Sequence, residues 1–448
     1  MGNTPRLVRL GWAASPGWLV VSLVLTLVGS LIPVAQLYIA KLVVDQVVAL
    51  VGEGGSAAFT QRLLGLLGVG LGLMVISSCL QQLRAYASRV LNDQFLLHAN
   101  VQLLRQAMRL DLAHYESPEF HDILNRAQQS GSNYPMRVIT LMLNLLGQFT
   151  RLGGLLLLLL RFSPVVMLLL VVSALPTFWI GVRYSYRRFW MNRKQTPSRR
   201  RADYFGEVLT EPKYVKEVRL FNLGGHLLEQ YRKIRAEFNR ESRQLAQRQA
   251  GAQLSIDLIA TVGFYGAYGM VLWQALRGQA TVGDLTLYAG TFQQAQDLIS
   301  TILLNIATVY EFNLYVSQYF EFLDLSPQVV DPVRVQPFPQ PMRQGLTLTD
   351  VYFTYPGAES PTLKGITLTV EPGECIALVG LNGSGKTTLL KLLTRLYDLD
   401  RGVIAVDDVP LSAFALADLR RNIGVLFQDF ARYALDVTDN IGFGNLAK

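Results

Sequence analysis

The sequence is short of charge. Charged residues fill 17% of its 448 positions, against about 25% in an average soluble domain. Histidine is scarce, with His98, His114, His121 and His226 the whole supply. Two cysteines, Cys79 and Cys375, exclude a disulfide framework and a cysteine-rich metal cluster. Half of the residues are hydrophobic, which excludes a disordered chain. A mean hydropathy of +0.27 argues against a wholly soluble one. The 37 glycines and 18 prolines follow no collagen or low-complexity pattern.

What charge there is has a pattern. Residues 1–345 hold 32 Lys and Arg against 21 Asp and Glu, a net +11. Residues 346–448 hold 9 against 12, a net −3. The basic excess therefore sits in the hydrophobic part of the chain. This fits a membrane protein with basic cytoplasmic loops and excludes nucleic acid as the natural partner.

A bilayer-crossing helix needs about 20 mostly apolar residues. Trp18–Ala40 supplies 23 without a charge, too long for the apolar core of a signal peptide. Five further candidates are Leu63–Leu83, Val138–Leu160, Val165–Val182, Leu258–Leu276 and Leu285–Val309. Arg161–Pro164 reads as a tight turn making a hairpin of the third and fourth. The short gaps hold four basic residues, Lys41, Arg62, Arg161 and Arg277. The long gaps, Arg84–Tyr134 and Arg183–Ala252, hold five and seventeen. Basic loops stay cytoplasmic, so the long excursions, both termini and the C-terminal domain are expected inside a plasma membrane.

Both excursions read as helical. Leu97, Val101, Leu104 and Met108 recur at helical spacing, and Val208, Tyr214, Val218 and Phe221 do so more loosely. Each contains an interrupted segment, one at His114–His121 and one at Thr210–Asn222, with a proline placed to start a short new helix. They read equally as surface turns or as contact helices for another domain. In the sixth span, Gln293, Asp297 and Thr301 recur every four residues, with Gln294 and Asn305 on flanking turns. One broad polar face results. A carboxylate at mid-span costs about 2.5–3.5 kcal/mol on insertion scales, so Asp297 should face protein or water. Arg151 is the mid-span basic candidate to pair with it, and a site for a cationic substrate is the other reading.

Ser326–Pro341 carries Pro327, Pro332, Pro337, Pro339 and Pro341 and reads as a stiff linker. The expected division is a membrane domain over 1–323, a linker over 324–345 and a nucleotide-binding part over 346–448. Leu346–Phe353 and Ile366–Val370 alternate as strands do. Cys375–Val379 reads as a buried strand running into Gly380-Leu-Asn-Gly-Ser-Gly-Lys-Thr-Thr388 and an apolar helix. That is the phosphate-loop pattern in its required strand–loop–helix setting. Gly380, Asn382, Gly383, Ser384 and Gly385 let the backbone turn its N–H groups around a phosphate chain. Lys386 reaches the β- and γ-phosphates, Thr387 ligates Mg²⁺, and Thr388 completes the first turn. The cofactors expected are ATP and Mg²⁺. Asp407 and Asp408 end an apolar strand 21 residues after Lys386 and follow a tight Asp400–Gly402 turn. They read as a solvated hairpin end rather than a magnesium site.

Six spans, two long excursions, a linker and this phosphate loop together resemble the half-transporters of ATP-binding cassette (ABC) exporters. The fold implied is a polytopic α-helical membrane domain followed by the N-terminal part of an α/β P-loop ATPase domain. Val351–Gly357 resembles the adenine loop of the family, so the resemblance assigns Tyr355 to stacking on adenine. Gly424–Asp429 resembles the Q-loop, which assigns Gln428 to Mg²⁺ and the attacking water. In this light the two interrupted segments resemble coupling helices, and Gly278–Leu285 resembles the outer turn before the sixth span. The resemblance further implies a signature Leu-Ser-Gly-Gly-Gln, a Walker B glutamate and a switch histidine. Residues 1–448 contain none of them, so no catalytic residue is assigned and a chain truncated after the Q-loop is expected. The implied partners are membrane lipid, a second half-transporter (the same or different) and an exported substrate that the sequence does not name. Set beside export are a nucleotide-binding membrane protein without turnover, an importer-like permease–ATPase fusion and a membrane-anchored P-loop kinase. The kinase lacks room for a substrate lid.

Overall fold

The computed structural model describes residues 3–52, 57–162, 164–428 and 430–444. They divide into two compact units. One holds residues 1–103 and 126–321, the other 104–125 and 322–448.

The first unit is helical. An amphipathic helix α1 (Thr4–Ala14) opens with a proline in its first turn and buries Leu7, Leu10 and Gly11. The long helices are α2 (Pro16–Gly52), α3 (Ala57–Arg109), α5 (Pro118–Phe162), α6 (Pro164–Lys194), α9 (Gly224–Leu276) and α10 (Val282–Leu323), and each contains one candidate span. Among the described residues, five are long and apolar enough to cross a bilayer. The fourth candidate, Val165–Val182, lies in α6, many of whose side chains fall outside the description. Ser163, at the expected turn between α5 and α6, is outside it too. At 1.5 Å per residue the 53-residue α3 and α9 are about 80 Å long. A bilayer core is about 30 Å thick, so both run far beyond it. Val20, Val24, Val28 and Leu31 of α2 stay exposed, as lipid-facing side chains do.

Within this unit Leu155 and Leu159 of α5 pack with Ala267 and Val271 of α9 and with Phe292, Ala295 and Ile302 of α10. The turn before α10 is a reciprocal cap. Asp284 Oδ2 accepts from Thr281 N–H and Oγ1, while Asp284 N–H donates to Thr281 Oγ1. Lys41 of α2 pairs with Asp284 at 2.6 Å, and Asp45 accepts from Gly283 N–H at 2.9 Å. These bonds tie the end of the first span to the start of the last.

Helical periodicity was legible in α3, but not which face is buried. Leu97, Leu104 and Met108 are exposed, while Leu91, Phe95, Ala99 and Leu103 form the buried stripe. Tyr319 chooses it, since its hydroxyl donates to the Ala99 carbonyl at 3.0 Å in a buried setting. The interrupted segments also differ from expectation. Pro118 starts the 45-residue α5, and the short helix α4 (Leu112–Tyr115) precedes it. In the other excursion α7 (Thr196–Thr210) buries Val208. The short α8 (Pro212–Leu220) begins at Pro212 as expected but buries nothing, and Phe221 beyond it is exposed.

The second unit holds a four-stranded antiparallel sheet ordered β2–β1–β3–β4. Its strands are β1 (Leu346–Phe353), β2 (Leu363–Val370), β3 (Arg401–Val406) and β4 (Val409–Pro410). Helix α10 ends near the start of this unit, and α11 (Lys386–Leu393) and α12 (Leu416–Arg421) complete its core with the short α13 (Val437–Gly442) outside it. Leu348, Val351 and Phe353 of β1 meet Leu389 and Leu392 of α11, Ile404 of β3 and Leu419 of α12. The expected Asp400–Gly402 turn is instead the entry of β3. Gly402, at φ +95°, forms a bulge against β1, where a Cβ would strike the carbonyls of Thr349 and Asp350. Asp407 and Asp408 are the β3–β4 hairpin end as expected, both at positive φ. The linker crosses the sheet end. Gln336 N–H donates to Ala413 O at 2.9 Å, and Phe338 packs against Phe414.

Candidate functional site

The phosphate loop is built by glycine at two positions where L side chains are strained. Gly383 sits at φ +83° and Gly385 at φ +94°. A Cβ on Gly385 would also come within 2.5 Å of Leu363 Cδ2, because the loop lies directly against β2. Gly385 caps α11, so the free N–H groups of the first turn open into the loop. The Lys386 ammonium lies across it, donating to Gly380 O at 2.8 Å, Leu381 O at 2.9 Å and Ser384 Oγ at 3.3 Å. These neutral acceptors leave its charge uncompensated, and phosphate oxygens would meet it in the same place. Thr387 is exposed on the first turn, while Thr388 is buried. The cradle fits a phosphate chain. Gly380–Thr388 would hold the phosphates and Thr387 the Mg²⁺ ion, which supplies charge neutralisation to the phosphoryl oxygens.

Tyr355 joins this cluster. Its hydroxyl lies 3.1 Å from Thr388 Oγ1 and its ring packs edge-on to Phe353 and Tyr397. The expected adenine-loop residue thus touches the phosphate-loop helix. Gln428 does not join it: it is exposed, in a stretch without helix or strand, and makes no hydrogen bond to the loop among the described residues. Asp429 lies outside the description. Cys375–Val379 is also a correction. It is exposed and pairs with no described strand, Val379 being 93% exposed. A strand exists only through its ladder, and none of the described strands runs beside this one. Asp407 is occupied elsewhere. Its carboxylate accepts from the backbone N–H groups of Arg343, Gln344 and Gly345. Burial opposes its charge, yet these donors hold its pKa below the ordinary carboxylate value.

Three residues of this region were not singled out by the sequence: Glu116, Lys391 and Tyr397. Glu116, which follows α4, accepts from Lys391 Nζ at 2.5 Å and from Tyr397 OH at 2.6 Å. Lys391, on α11, lies 5.2 Å from the centre of the Tyr355 ring. Burial disfavours the charge on Lys391, but Glu116 outweighs it and raises the pKa. Burial, then Glu116, also push the Tyr397 hydroxyl up. Asp111, ahead of α4, accepts from Gln328 N–H and from Val329 N–H. No local pattern marks these partners, which lie over 200 residues apart in sequence.

In the first unit a cavity of about 650 Å³ opens between α2, α3, α5 and α10. Gln294, Asp297 and Thr301 line it as the polar face suggested, but Gln293 is not among the lining residues. Arg151 is there too. It donates at 2.5 Å to Gln294 Oε1, one turn from Asp297, so the expected Arg151–Asp297 pair is replaced by an arginine–amide bond.

The ABC transporter family profile matches residues 363–444, which include the phosphate loop and Gln428. The subtilin transport ATP-binding protein SpaT of Bacillus subtilis is 26% identical over 431 residues, 94% of this chain and 68% of that one. The nisin transport ATP-binding protein NisT of Lactococcus lactis subsp. lactis is 24% identical, over 99% of this chain and 72% of its own length. Over nearly its whole length the chain is thus similar to ABC exporters. An ATP-dependent lipid A-core flippase of Pseudomonas fluorescens is 32% identical over 62% of this chain, spanning 46% of the flippase. A bacterial Atm1-family ABC exporter solved with ATP bound shares the fold, with a TM-score of 0.76 at 18% identity over 96% of this chain and 74% of that one.

Proposed function

We propose that this chain is an ATP-driven export subunit working as a pair with a second half-transporter. The observation that carries the reading is Glu116. It stands between α4 and α5, in the connection of two span-bearing helices, and its carboxylate holds Lys391 on the helix that begins at the phosphate-loop Lys386. A load on the phosphates has a path of one short helix to the membrane helices. Gly380, Asn382, Gly383, Ser384, Gly385, Lys386, Thr387 and Thr388 bind the phosphates, Tyr355 the adenine, and Thr387 with Gln428 the Mg²⁺. The basic long excursions place both termini and the nucleotide site in the cytoplasm of a cell whose plasma membrane holds the spans. Division at 1–323, 324–345 and 346–448 separates membrane domain, linker and nucleotide-binding part.

Phosphoryl transfer rests on positioning and charge stabilisation. Lys386 and Thr387 supply the phosphate and Mg²⁺ contacts of that positioning. The relatives named for subtilin and nisin transport suggest a peptide as the exported substrate.

Cys79 on α3 tests the reading, since it is exposed in the membrane half. With Cys375 replaced by Ser, ATP–Mg²⁺ is expected to change the rate at which a maleimide labels Cys79 in membranes. Lys386→Ala should abolish that change. Labelling indifferent to ATP, with ATP bound, would leave a nucleotide-binding membrane protein that does not transport.

A further inference from the structure

The membrane cavity is lined by three ionisable side chains on three helices: Arg84 of α3, Arg151 of α5 and Asp297 of α10. Each arginine rests on a neutral amide. Arg84 Nη2 donates to Asn144 Oδ1, and Arg151 Nη2 to Gln294 Oε1. Among the described residues neither forms an ion pair, and Arg151 Nε is buried with no hydrogen-bond partner. The Asp297 carboxylate is exposed to the cavity and accepts no hydrogen bond among the described residues. A guanidinium offers five donors, so most of this capacity meets no partner among the described residues.

Charges inside a membrane domain normally pair with one another unless they serve a substrate or ion path. Here opposite charges share one cavity without pairing, two positive and one negative. A purely cationic solute would meet Asp297 but also two guanidiniums. A purely anionic one would satisfy the arginines and be repelled by Asp297. A solute with both signs satisfies all three. The volume of about 650 Å³ lies in the ordinary range for small-ligand sites and suits a short peptide.

We propose that this cavity recognises a peptide-like zwitterion, its carboxylate on Arg84 and Arg151 and its ammonium on Asp297. The proposal rests on the export reading, since it names the solute class of that transporter. Neutral amides hold the guanidiniums in place, while the carboxylate on α10 stays free for the ammonium. Binding of both ends bridges α3 and α5 to α10.

The test uses the full 448-residue chain in lipid nanodiscs and tritiated tetraleucine with free ends. Its N-acetyl form, its C-terminal amide and the doubly blocked peptide compete. Wild type should bind the free peptide at least tenfold more tightly than either singly blocked form. Asp297→Asn should make the free and acetylated peptides equal while keeping the preference for a free carboxylate. Arg84→Gln with Arg151→Gln should do the reverse. Both sets are near-isosteric, and photolabelling by an azido-ATP reports that the ATPase unit is folded. Four peptides binding within twofold of one another, no saturable binding by tetraleucine, or discrimination that survives in the variants would each overturn the proposal. If discrimination follows the prediction while azido-ATP labels wild type and Lys386→Ala alike, the cavity assignment stands and the ATP-driven reading fails.

Discussion

Glu116 holds Lys391 and Tyr397 at once, one carboxylate oxygen to each, at 2.5 and 2.6 Å. Lys391 in turn faces the ring of Tyr355. The residue that follows α4 therefore bears on the side chain assigned to the adenine base. Glu116→Gln keeps the shape and removes the charge. It should leave azido-ATP labelling within about threefold, since a half-exposed pair contributes on the order of 1 kcal/mol. The ATP-dependent change in Cys79 labelling should shrink by more than that. An unaltered change would show that Glu116 carries no coupling.

Tyr355→Ala removes the aromatic face near the loop. Base–aromatic stacking contributes about 1–3 kcal/mol, so ATP affinity should fall roughly 5- to 150-fold. Tyr355→Phe should retain most of it, losing only the contact with Thr388. Competition by inorganic triphosphate separates base from phosphate binding, and it should be nearly unchanged in Tyr355→Ala. An equal loss for triphosphate would mean that Tyr355 supports the loop rather than the base.

Gly385→Ala should disable the loop without touching its charges. The new Cβ meets Leu363, and the φ of +94° costs further strain. Lys386→Ala removes the ammonium from a loop that otherwise stays folded. Both should lose ATP labelling at least tenfold, but only Gly385→Ala should lower the thermal midpoint of the ATPase unit.

Asp407 predicts an acid transition at the linker. Its folded pKa is depressed, so its contribution is present above the unfolded value of about 3.9 and is lost as pH falls through the lower folded value. An acid-active protease should leave the segment at Arg343 intact at pH 5 and cut it increasingly below about pH 4. Asp407→Asn keeps the oxygen acceptor but loses the charge, and should be cut there already at pH 5. Equal cutting of the two at pH 5 would remove Asp407 from the docking of the linker.

The sequence by itself determined the elements whose cause is local. Apolar runs of about 20 residues make spans wherever they lie, and glycine at 383 and 385 makes a loop because only glycine takes positive φ without cost. The hairpin at Asp407–Asp408 was legible from spacing, since 21 residues after Lys386 leave little room for a new parallel crossover. Tertiary structure decided what depends on partners far along the chain. Tyr319 selected the buried face of α3, and β3 absorbed the expected turn at Asp400–Gly402 because β1 lay beside it. Cys375–Val379 has strand composition but no ladder, since pairing comes from a neighbour and not from propensity. Arg151 took the amide of Gln294 in place of Asp297, a choice of one helical turn that spacing does not resolve. Glu116, Lys391 and Tyr397 belong to segments more than 200 residues apart, and only folding gives one carboxylate to both.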